Sequence, residues 1–84
     1  MNAHELYASV GGDVSKLDWK SFQIVLSAAV NEWNRQLSEG NWRAKHDSKQ
    51  DVISLINTYC GYHIQRREKV EKYINELLGE VFSD

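Results

Sequence analysis

The sequence predicts an all-α domain, and three observations carry that prediction. Phe22, Val25, Leu26, Ala29, Val30, Trp33 and Leu37 recur at the three- and four-residue steps that place side chains on one helical face. Val70, Tyr73, Ile74, Leu77, Leu78, Val81 and Phe82 form a second, broader stripe of the same period. No proline interrupts either stripe. The expected architecture is a small helical hairpin or bundle in a single domain, 1–84. It has a short N-terminal helix and two long antiparallel helices, the last with Gly61 as its candidate kink.

The first helix is expected near 3–10, with Leu6, Tyr7 and Val10 on one side and Gly11-Gly12 ending it. The second runs near 18–39. Asp18 is its cap, and Leu17 and Phe22 have the spacing of a hydrophobic staple across that cap. Gly40 sits where a left-handed glycine ends a helix. Residues 40–47 read as irregular. Asp47 or Ser48, with Asp51 completing a loose capping box, starts a third helix near 48–81. It buries Val52, Ile53, Leu55, Ile56 and Tyr59. Gly61 lies inside it, because Tyr62, His63, Ile64 and Gln65 offer no Ser, Thr, Asp or Asn cap for a fresh start. A glycine inside a helix costs only about 1 kcal/mol relative to alanine, which packing offsets.

At 1.5 Å per residue the second helix is about 33 Å long and an unbroken third about 50 Å, so the third overshoots by about 17 Å from near Val70. Val70, Ile74, Leu77, Leu78 and Val81 then form an apolar face that the short first helix covers only in part: either the chain bends at Gly61 and closes a compact bundle, or a second copy or another protein covers the remainder, and a homodimer through this face is the expectation. Antiparallel pairing would also bring Glu76 and Glu80 of one copy toward the basic middle of the other.

Composition excludes some classes. The chain is 42 % hydrophobic and 26 % charged, too apolar for disorder. Met1-Asn2-Ala3-His4 begins no signal-peptide pattern, and no apolar run reaches the roughly 20 residues of a membrane span, so a soluble, cytoplasmic protein is expected. Cys60 stands alone. Cys60 and His63 make at most half a zinc site, since about four ligands are needed and His4 and His46 are isolated. No phosphate-binding glycine loop, nucleophile elbow or paired-carboxylate pattern is present, so no cofactor and no enzymatic activity are expected.

Net charge is −2, unevenly spread. Arg43, Lys45, Lys49, Arg66, Arg67, Lys69 and Lys72 make a weakly basic middle between acidic ends. Tyr59, His63, Arg66 and Arg67 share a face with Val70, a polar interval in an apolar stripe that serves as a recognition site or as a solvated waist. Trp42 is either a lid over the hairpin core, the favoured reading, or an exposed anchor. The candidate partner contacts are therefore Trp42, Tyr59, Tyr62, His63, Arg66 and Arg67. The function expected is a small protein–protein interaction module, an adaptor, inhibitor or immunity-type regulator. A nucleic-acid-binding regulator is the alternative, disfavoured because Lys49 and Arg66 lie about 26 Å apart on a continuous helix.

Overall fold

The computed structural model describes residues 1–81. Within them the chain forms four helices and no strand: α1 (Ala3–Ser9), α2 (Trp19–Glu39), α3 (Trp42–Cys60) and α4 (Ile64–Val81), with a short 3-10 turn at Val14–Lys16. Phe82, the end of the predicted second stripe, lies outside the described residues.

Helix starts follow the polar caps. Asn2 and Glu5 form a reciprocal capping box at α1. Asp18 caps α2, its Oδ1 accepting from Ser21 N–H at 2.8 Å, and Leu17 and Phe22 on either side of that cap are both buried. Gly40 ends α2 in the left-handed region (φ 83°, ψ −2°) as its position predicts.

The next residue departs from the expectation. Asn41 caps α3 at once, its Oδ1 accepting from Ala44 N–H at 3.1 Å, so the segment expected to be irregular is helical and the Ser48–Asp51 box lies inside α3. The half-buried residues in the first half of α3 are Ala44, Lys45 and Ser48, and its first buried apolar side chain is Val52. There was no apolar period to detect.

The second departure is at Gly61. The third and fourth helices are separate elements, not one helix with a kink. Gly61 adopts φ 49°, ψ −123°, a conformation that only glycine takes readily, and His63 N–H bonds to Cys60 O at 2.8 Å. These angles match the first central position of a type II′ turn. The chain reverses over three residues, with no side-chain cap needed.

Two short connections, Gly40–Asn41 and Gly61–His63, make α2, α3 and α4 an up-down-up bundle of helices about 31, 28 and 27 Å long. There is no overshoot. Phe22, Leu26 and Val30 of α2, Val52, Tyr59 and Cys60 of α3, and Val70 and Leu77 of α4 form the core, joined by Leu6, Val14 and Leu17. The face assigned to self-association is therefore the core face of α4. Val70 is 1 % and Leu77 6 % exposed, and Ile74, Leu78 and Val81 pack against the same cluster. These side chains are occupied by their own chain, and the overshoot argument for a dimer falls with the helix break.

Candidate functional site

The turn between α3 and α4 brings two strongly exposed apolar side chains, Tyr62 and Ile64, side by side. Its geometry begins with Gly61. The II′ conformation lets the backbone double back while Gly61 N–H still closes the last turn of α3 on Asn57 O (2.9 Å) and Arg67 N–H opens α4 on His63 O (3.1 Å). Between those anchors Tyr62 is fully exposed and Ile64 is 74 % exposed. His63 and Arg67 flank them, also exposed.

Behind the turn lies its support. Tyr59 is buried and stacks on Phe22, with ring centroids 3.9 Å apart and planes within 6°. Trp19 packs beside both rings and meets Tyr73 of α4 edge-on at 5.7 Å. The guanidinium of Arg66 lies 4.5 Å from the Tyr59 ring centroid, and with Phe22 on one face of that ring it takes the other. Its Nη1 donates to Tyr59 O at 2.9 Å and to Ser15 O at 3.1 Å. One cation thus satisfies a carbonyl near the C-terminus of α3, where the helix dipole is negative, and ties α4 to the 3-10 turn.

The six sequence-predicted partner contacts therefore separate. Tyr62, His63 and Arg67 gather at the turn. Tyr59 and Arg66 sit beneath it, Tyr59 buried and Arg66 half-buried, so this part of the polar interval packs into the bundle instead of forming a solvated waist. Trp42 is 72 % exposed, not a lid, and α3 carries it about 27 Å away to the other end of the bundle. Ile64 was not among the candidates, although it is exposed beside Tyr62. Its signal was its register: six residues before Val70 places it about 120° off the core stripe, where an isoleucine is unexplained by packing.

Two titratable groups near the turn, Tyr59 and Cys60, are shifted by burial. Burial pushes the Tyr59 hydroxyl and the Cys60 thiol up, each opposed by nearby arginine charge. A fully buried thiol with a raised pKa is a poor nucleophile. No cluster of three or more metal-ligating side chains occurs among the described residues. A cleft of about 420 Å³ between α1, α2 and α3 has His4, Tyr7, Asp51 and Ser54 on its walls, but none of these side chains hydrogen-bonds another, so no nucleophile–base pair is assembled there. The two basic clusters lie at opposite ends: Arg43, Lys45 and Lys49 follow the α2–α3 turn, while Arg67, Lys69 and Lys72 follow the α3–α4 turn. No helix among the described residues is long and apolar enough to cross a membrane. No family model, curated protein or solved structure matches this chain.

Proposed function

We propose that this chain is a small non-catalytic protein–protein interaction module, an adaptor, inhibitor or immunity-type regulator, that presents the α3–α4 turn to another protein. The observation that carries the reading is the full exposure of Tyr62 beside the 74 % exposed Ile64 on a turn held from behind by Arg66. Tyrosine is enriched among interface hot spots, and a rigid mount lowers the ordering cost of binding. Burying a large apolar side chain contributes about 1.5–3 kcal/mol, so Tyr62 and Ile64 would be the anchors of a wider contact, with Arg67 at its rim.

The test compares proteins captured by the full chain with those captured by Tyr62→Ala and Ile64→Asp. Both sites are exposed, so circular dichroism should be unchanged. Loss of a specific subset of captured proteins with both variants supports the reading. Identical capture by all three chains defeats it. Duplex-DNA binding that weakens steeply with salt would instead support the nucleic-acid reading.

A further inference from the structure

A second surface lies between α2 and α4, on the side of α2 away from α1. Two adjoining hollows there share Gln23 and Tyr73. Lys69, Lys72 and Glu76 line one, and Lys20, Ile24 and Ser27 line the other. Along α4, Lys69, Lys72, Glu76 and Glu80 follow at steps of three, four and four residues, which sets them on one stripe with the bases at one end and the acids at the other. Within the chain, Lys69, Lys72 and Glu76 form no ion pair: the salt bridges among the described residues are those of Arg35 with Glu32 and Glu39. Each of the three is exposed.

A stripe of this order is its own complement when reversed. We infer that a second copy of this chain docks antiparallel on the α2/α4 face, about a two-fold axis passing between Lys72 and Glu76. Lys72 of each copy then meets Glu76 of the other, and Lys69 approaches the end marked by Glu80, as an isologous interface requires. The axis also has an apolar centre. Tyr73 touches both Trp19 and Gln23, its hydroxyl donating to Gln23 O at 3.4 Å, so this level of α4 lies beside the start of α2. Ile24, 45 % exposed, belongs to the same level and faces its counterpart near the axis.

The bundle measures 34 × 25 × 22 Å, so the outline of a long side is wide enough to seat a standard interface of about 800 Å² per partner. Exposed ion pairs add little net energy but select orientation strongly. The pair is expected to be modest in affinity and specific in register. The inference rests on the reading of this chain as an association module but not on the α3–α4 turn.

Sedimentation of the full chain with three variants tests it. The wild type should form a dimer at micromolar concentrations, weakening as salt rises. Lys72→Glu and Glu76→Lys should each raise the dissociation constant at least about tenfold, since each puts like charges together twice. The double variant Lys72→Glu/Glu76→Lys should restore the dimer, because the pairs are re-formed in the opposite sense. Rescue of this kind requires the same surface on both partners. A wild type that stays monomeric, single variants that still pair, or a double variant that does not recover would each overturn it. Pairing lost with Tyr62→Ala but kept with Lys72→Glu would overturn it in favour of a dimer built on the turn. Captured partners lost with Tyr62→Ala while the charge swap fails would sink this interface alone. Capture unaffected by Tyr62→Ala with a successful charge swap would sink only the turn.

Discussion

Arg66 makes contacts that distinguish a binding residue from a structural one, and its removal has a calculable cost. Arg66→Ala deletes two charge-assisted hydrogen bonds, to Tyr59 O at 2.9 Å and Ser15 O at 3.1 Å, and the guanidinium stacked 4.5 Å from the Tyr59 ring centre. A hydrogen bond to a charged group contributes about 1.5–3 kcal/mol, and an accessible cation–π contact about 0.5–1. Arg66 is half-buried, so water replaces part of what is lost at both carbonyls. A net destabilisation of about 2–3 kcal/mol remains. In a domain of this size that lowers Tm by about 10–20 °C. Arg66→Lys should recover only part, since an ammonium can donate to both carbonyls but has no planar group to stack on Tyr59. Arg67→Ala, one position along and exposed, should stay within about 0.5 kcal/mol. Chemical denaturation with thermal melts by circular dichroism measures all three. If Arg66→Ala and Arg67→Ala prove equally mild, the description of Arg66 as the brace of the turn is wrong.

Other perturbations probe other parts of the fold. Gly61→Ala meets no atom within 4 Å of the new Cβ, so its cost is the backbone alone, about 1–3 kcal/mol; an unchanged melting midpoint would mean the turn can relax. Leu77→Asp buries a carboxylate where Leu77 is 6 % exposed and should abolish cooperative unfolding at 25 °C; a folded monomer would show that α4 does not pack as described. Stability should fall as pH drops below the ordinary carboxylate range. Asp18 is lowered by the Ser21 backbone N–H, Asp13 by the Ser15 hydroxyl, and Glu32 to about 2 by Arg35. Depressed native values mean the unfolded chain binds more protons, so the contribution is present above about pH 4.5 and is lost toward pH 2. Urea melts at pH 6, 4 and 3 check this, and a stability that rises on acidification contradicts it. Cys60, buried with its thiol pKa raised, should alkylate in native buffer only at the rate the chain opens, and rapid labelling without denaturant would place it at the surface.

The sequence by itself determined the fold class, the caps at Asp18 and Gly40, and the apolar stripes of α2 and α4, because each is written in local spacing, though Leu37 at the end of the first stripe is exposed. Asn41 was also legible: a capping residue directly after a helix-ending glycine is a start signal, outweighed here by the lack of an apolar period before Val52. The break at Gly61 was not legible from caps, because a II′ turn stops one helix and starts the next through backbone bonds alone. Everything about the candidate site followed from that one residue. With the chain reversed there, Leu77 turns inward, and Tyr59 and Arg66 close on Phe22 and the 3-10 turn. Such juxtapositions join residues up to 51 apart, as Arg66 and Ser15 are. Helical periodicity reports which face of a segment is apolar. Only tertiary packing decides which neighbour covers that face and which side chains are left outside.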